Sequence, residues 1–505
     1  MNALTILLLG SAHGATVTVN AGDDLVSFFA GAAAGDELVL GPGIHEVSST
    51  LNITDVVSTA AAPLVVRGEE GAVIKLVEAE DGSFANPIMR VSGASHVRLE
   101  GFTLQGADGW ASDLDHAYTG LSIGSSTGVT LDGLTIQDLT RTGIYLYELN
   151  SDVLVTNTEI RNTQDGHGIY VGCSDVSCFT TTFTAHTNLI HDIGGEGSVA
   201  INLQHGTQGA LLVDNIIYNI EYRGIESGST ELGDPTVMEG NALWNIGDIG
   251  VVLRGAATVR NNILFNITGR GIVARDPDRA AYSDQIIVYN TIVDTDGYGL
   301  DLESWMPDMG FVLANNAVCN PLSYGVLMTK TVPEGQLAED IETPGTVANN
   351  FVCGLVEGLD PELGEVVAAG GYDDFSDVEL WDFYPTSASL LIDAADPAGK
   401  YYPPELDFNG NPREGDAPDV GAYEFVGEDN PGWAIREGFK EYLTYEEERS
   451  GGAVESGCCS KDKGGEEALL LIPLLGLGAL RRRRVSGRGP ATPTETQCTP
   501  GDCAR

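Results

Sequence analysis

The chain has 505 residues, 64 of them glycine, and only 20% are charged, a composition that suits many short strands and tight turns better than packed helices. Its 73 acidic residues against 26 basic ones leave a formal charge of -47, which excludes general affinity for nucleic acid or an anionic membrane. Scattered carboxylates of this kind form a solvated face, with attraction of divalent cations as the alternative.

At the N-terminus, Leu4 to Leu9 form a short apolar run, and Ala12-His13-Gly14 before Ala15 offers small residues for cleavage. Residues 1–14 are therefore expected to be an export signal. Asp23 to Ala34 has the pattern of a short amphipathic helix with Asp23 or Asp24 near its start, followed by Gly35 to Leu40 as a strand. That helix is expected to cap the N-terminal end of the strand-rich body.

From about Ser95 a two-part phrase recurs. The first part is an apolar strand ending in Gly or Asn, at Gly101, Gly133, Asn157, Asn188, Asn215, Asn241, Asn262, Asn290, Asn316 and Asn350, with steps of roughly 21 to 34 residues. The second part is a Gly followed by alternating apolar residues, as at Gly143-Ile144-Tyr145-Leu146, Gly168-Ile169-Tyr170-Val171 and Gly224-Ile225. Strand-length runs of period two with no helical segment between them describe the coils of an all-β, right-handed parallel β-helix over residues 15–354, with two strands to each phrase. The repeated Asn suits a left-handed coil corner, and its amide can bond the equivalent Asn one coil away.

Residues at the second and fourth positions after each repeat Gly should face outward. The second-position column reads Ser122, Tyr145, Tyr170, Ala200, Glu226, Val252, Val273, Asp301 and Leu327, and the fourth contains Tyr147, Asn202, Arg254, Arg275, Glu303 and Thr329. Arg254 and Arg275 then stack on adjacent coils about 5 Å apart, with Arg223 and Arg270 nearby, an unfavourable cluster unless something anionic lies against it. Ion pairs with Glu226, Asp301 and Glu303 are the alternative.

As a binding face, Arg223, Arg270, Glu226 and Asn202 would hold a polysaccharide, acidic by preference, while Tyr145 and Tyr147 stack on its sugar rings. As a lyase, Arg254 and Arg275 would neutralise a uronate carboxylate, and His167, Tyr170 or an unprotonated Arg would remove the neighbouring proton. No cofactor is expected, with calcium near Asp294, Asp296, Asp301 and Glu303 as the alternative. A third possibility is a structural protein without glycan affinity.

Eight cysteines in an exported chain favour disulfides. Cys173 pairs naturally with Cys178 across one loop, and Cys319 with Cys353, since each lies three residues after a repeat Asn on neighbouring coils.

Beyond Gly354 the repeat fades. Trp381-Asp382-Phe383-Tyr384, Leu391-Ile392-Asp393-Ala394, Asp407-Phe408-Asn409-Gly410, Pro412-Arg413 and Asp419 to Glu424 resemble the closing module of bacterial β-helix surface proteins that share a body and differ in their anchors. That resemblance implies a module over 355–426, in which Asp407, Arg413, Asp419 and Glu424 are structural ion-pair and turn residues. In its general repeat the body resembles pectate-lyase-like β-helices.

Residues 427–457 read as a linker. Cys458-Cys459, the apolar run Ala468 to Leu480 and Arg481 to Arg484 come next; the run falls short of the ~20 residues of a comfortable membrane span. This order resembles the C-terminal sorting tails of myxobacterial and related delta-proteobacterial surface proteins, and implies over 458–505 a tail that sorting machinery processes. The sequence thus points to an exported, monomeric, surface-held polysaccharide binder, with a lyase and a structural protein as alternatives.

Overall fold

A computed structural model of the chain describes residues 14–441 except 111–115, 174–177, 229–233, 275–283, 306–309, 331–345, 369, 397–402 and 414–416. The expected export signal, apart from Gly14, and the whole sorting tail lie outside the described residues, as do Arg275 and the side chains of Glu303 and Thr329.

Each full coil contains three strands rather than the two read from the phrase. One coil runs Ile144–Tyr147, Leu149–Thr156 and Glu159–Thr163; the next runs His167–Val171, Phe179–His186 and Leu189–Ile193. Every strand pairs in parallel with its counterpart one coil away, as in Ile144 to Ile169, Val153 to Phe183 and Ile160 to Ile190. The extra strand arises because the Asn-containing run is bent in two. Between Leu211–Val213 and Ile216–Ile220 the chain turns at Asp214, whose φ is 55°.

The left-handed residue is therefore the one before the repeat Asn: Thr187, Asp214, Asn261, Tyr289, Asn315 and Asn349 all have positive φ. Gly101, Gly133 and Asn157 belong to this corner column, so the sequence pattern merged two neighbouring columns. From Asn188 onward the repeat Asn side chains point inward and form a buried ladder. Asn188, Asn215, Asn241, Asn262, Asn290 and Asn316 each donate from Nδ2 to Oδ1 of the next rung, ending at Asn350, at 2.8–3.0 Å. All are at most 1% exposed, so each amide satisfies its buried polar atoms through the coil above or below.

Alternation sends every second strand residue into one continuous core, from Val19 and Leu25 through Ile160, Ile225 and Ile272 to Val352. At the N-terminal end the expected helix forms but is shorter than the Asp23 to Ala34 read from the pattern: it spans Leu25–Ala30 and ends at Gly31, with Asp24 as N-cap accepting from the Ser27 N–H at 3.1 Å. A strand at Thr16–Val19 precedes the one expected first and pairs with Glu37–Leu40.

The C-terminal segment returns along the flank of the coils. Ala422 N–H donates to Thr291 Oγ1 at 2.9 Å, Arg413 Nη2 to Asn261 Oδ1 at 2.8 Å, and Lys440 Nζ lies 3.0 Å from Asp214 Oδ1. Asp407 accepts from three backbone N–H groups, Asp419 from two, and buried Arg413 meets Glu424 at 3.4 Å. Residues 427–441, read as the start of a linker, are packed, with Trp433, Ile435 and Lys440 buried. Apolar spacing does not reveal this, because Lys440 sits over the Phe408 ring with its ammonium paired.

Candidate functional site

The outward column of one ladder is fixed by register. Tyr145 lies opposite Tyr170, Tyr170 opposite Asn202, Asn202 opposite Glu226, and the column continues through Val252, Val273 and Asp301. Asn202 thus replaces Ala200 in the expected second-position column. Ala200 occupies the place of the repeat Gly, where a Cβ on Gly168 would come within 2.6 Å of its carbonyl. With no Gly at that coil, the sequence pattern slipped by two.

At one end of this face Tyr147, Tyr145, Tyr170 and His167 form a continuous, part-buried aromatic strip. Ring centroids are 5.8 Å apart for Tyr145 and Tyr147, 5.4 Å for Tyr145 and Tyr170, and 4.9 Å for His167 and Tyr170. Burial raises the Tyr145 and Tyr170 phenols above their ordinary range. His167 is pushed down to about 4, chiefly by burial, against the opposing pull of Glu226. Its Nδ1 accepts the Val199 N–H at 3.1 Å, which assigns the ring proton to Nε2.

At the other end the arginines are paired. Glu226, 7% exposed, lies between Arg223 at 2.6 Å and Arg254 at 2.9 Å, and Arg223 also approaches Asp248 at 3.5 Å. Arg270 meets the fully buried Asp301 at 2.7 Å. Arg223 and Arg270 also lie over the rings of Tyr222 and Tyr298. Between these pairs Ile249, Val252 and Val273 form a small buried cluster outside the main core. The face expected to be open is therefore closed from Asn202 to Asp301, and among the described residues the ion-pair alternative describes Arg223, Arg254 and Arg270.

Both expected disulfides are present, Cys173–Cys178 and Cys319–Cys353, with Cα separations of 5.6 and 4.5 Å. Among the described residues no three His, Cys, Asp or Glu side chains converge as a metal site would require. Asp294 accepts a hydrogen bond from the Tyr372 hydroxyl, away from Asp301.

A sequence-family model for the right handed beta helix region matches residues 89–232 and 119–318. The body is a right-handed parallel β-helix. No curated protein matches the chain in sequence. Among solved structures, pectate lyase Pel9A superposes with a TM-score of 0.52 at 14% identity, covering 82% of this chain and 97% of that one. An alginate lyase from Paenibacillus sp. str. FPU-7 gives 0.37 at 19% identity, covering 57% and 96%. PfbA, a surface adhesin of Streptococcus pneumoniae, gives 0.37 at 13%, covering 56% and 78%. At these identities the likeness is one of fold alone.

On this β-helix the groups named for proton abstraction lack the properties of a base. His167 Nδ1 is engaged by the Val199 N–H, Tyr170 holds its proton more tightly than a free phenol, and Arg254 is committed to Glu226. What the arrangement offers is a stacking strip bordered by amide and N–H groups. Gln204, absent from the sequence reading, donates to Asn202 Oδ1 at 2.8 Å. Placing Asn202 opposite Tyr170 is the register signal that finds it.

Proposed function

We propose that the chain is an exported, non-catalytic polysaccharide-binding β-helix whose Tyr145, Tyr147 and Tyr170 strip takes the sugar rings. The observation that carries this reading is the strip itself: Tyr145 lies within 6 Å of both Tyr147 on its own strand and Tyr170 on the next coil, all three rings are part-exposed, and polar groups lie at their edge. Arg223, Arg254 and Arg270 position the face through Glu226 and Asp301, and stacking rather than charge supplies most of the affinity. Two disulfides accord with an oxidising compartment. The C-terminal tail would hold the body at the cell surface after processing.

The test incubates the full-length protein with neutral and uronate-containing polysaccharides, following co-precipitation and, in parallel, ultraviolet absorbance of unsaturated product. Retention on a glycan that falls in Tyr145→Ala/Tyr170→Ala, without absorbing product, is the expected result. Product that disappears in Arg254→Ala would establish a lyase. Absence of both signals would leave a structural surface protein.

A further inference from the structure

A second face of the coils carries its own row of side chains. One residue after the aromatic positions of a different ladder, Asp192, Asn219, Asn245 and Asn266 occupy the same corner of successive coils, each with φ between 51° and 55°. They point outward, Asn245 half-buried and the rest exposed, in contrast to the buried ladder at the other corner. They border an open trough of about 530 Å³ that crosses four coils and is also lined by Glu221 and Thr268.

The rungs are chained in one direction. Asn219 Nδ2 donates to Asp192 Oδ1 and Asn245 Nδ2 to Asn219 Oδ1, both at 3.0 Å, and Asn266 Nδ2 donates to Asn245 Oδ1. A carboxamide has two N–H donors and two acceptor lone pairs. Each of Asn219 and Asn245 uses one of each within the chain of rungs, which leaves one N–H and one lone pair on each amide that the chain does not use. A sugar hydroxyl, which donates and accepts at one atom, fits that pair.

The local charge also points to a neutral ligand. Asp192 is occupied by Asn219 and by His191 Nδ1 at 2.7 Å, and Glu221 Oε2 accepts the Gly195 N–H at 2.7 Å. Asp192 and Glu221 are the charged side chains of the lining and, among the described residues, no lysine or arginine joins them, so the trough disfavours an acidic glycan and leaves its amides to a neutral one. Gly247, where a Cβ would come within 2.0 Å of the Glu221 carbonyl, lets the turns stack closely enough for the rungs to repeat at the ~4.8 Å coil spacing.

We infer that this amide-lined trough is a second glycan site, distinct from the tyrosine strip, that takes an extended, neutral pyranose chain lying along the solenoid axis. Ring hydroxyls on successive sugars bond successive rungs.

The experiment uses full-length protein with cellohexaose as probe, read by calorimetry and by amide hydrogen exchange. Binding is expected to protect the turns at 192–195, 219–222 and 245–248. Asn219→Gly/Asn245→Gly is expected to raise the dissociation constant at least about ten-fold, the loss of a few ligand hydrogen bonds. Glycine suits the positive φ, so the variant removes the amides without straining the backbone. Tyr145→Ala/Tyr170→Ala should leave the turn protection intact, whatever it does to the tyrosine strip. Failure of cellohexaose to bind, protection confined to other residues, or unchanged affinity in the glycine variant would overturn the inference. Should the glycine variant unfold, exchange protection in the unaltered chain decides alone.

Discussion

Two outward columns of this solenoid carry stacked aromatic rings, and they differ in what lies over them. On one flank His191, Tyr218, Trp244 and Phe265 stack face to face on four coils at 4.7–5.6 Å, and Trp381 and Phe383 of the returning C-terminal segment close over them. Trp244 is fully buried. On another ladder Tyr145 and Tyr170 stack edge to face, with Tyr147 beside them, and all three keep part of their surface in water. Period and register produce aromatic columns in both places. Cover alone makes the first a mortar for the C-terminal segment and leaves the second available to a ligand.

That contrast can be broken experimentally. The largest effect is expected in the covered column, where Trp244→Ala should lower stability by about 3–5 kcal/mol, seen as a lower urea midpoint. Next comes the disulfide in the same column, which closes a 34-residue separation. Cys319→Ala/Cys353→Ala should cost about 3–4 kcal/mol by the same measurement. In the open column Tyr145→Ala should change stability by less than about 1 kcal/mol while weakening glycan retention several-fold. A stability loss there as large as that of Trp244→Ala would mean that the strip is structural.

The two histidines sharpen the comparison through pH. Burial opposes the charged form of His191, but its hydrogen bonds to Glu159 and Asp192 outweigh it and raise the pKa. Its contribution is therefore full below the ordinary histidine value of 6.5 and is lost as pH rises through the folded pKa. His167 has the opposite sign: held down to about 4, it stabilises the fold above 6.5 and that gain is lost as pH falls toward 4. The urea midpoint of His191→Gln should fall furthest below the parent at about pH 5.5, and that of His167→Gln at about pH 8. Similar profiles for both variants would contradict the assigned hydrogen bonds.

Much of the scaffold was legible in the residues. The recurring Asn announced a hydrogen-bonded ladder because a carboxamide at the same place on successive coils can bond its neighbours above and below. The register of Cys319 with Cys353 followed from equal offsets to that Asn. The candidate face was read less well. Gly marks the start of an outward strand only where neighbouring coils need the space, and Ala200 at that place displaced Asn202 from its true column. The arginine cluster looked like an anion site because its partners were judged from columns one residue wide. Arg223 reaches Glu226 along its own strand, Arg254 reaches the same carboxylate from the next coil, and Arg270 reaches Asp301.

By itself the sequence determined the right-handed parallel β-helix, its N-terminal cap, the bonding of its Asn amides from coil to coil and its two disulfides. Each of these depends on alternation, corner chemistry or pairing between adjacent coils, which a repeat displays directly. Only the tertiary structure decided which outward residues meet water, since that depends on segments remote in the chain. Lys440 reaches Asp214 across 226 residues, and the same return path buries Trp244 while leaving Tyr145 and Tyr170 part-exposed. Burial by a distant segment leaves no periodic trace in the strand it covers, because the same aromatic residue suits a dry interface and a sugar ring alike.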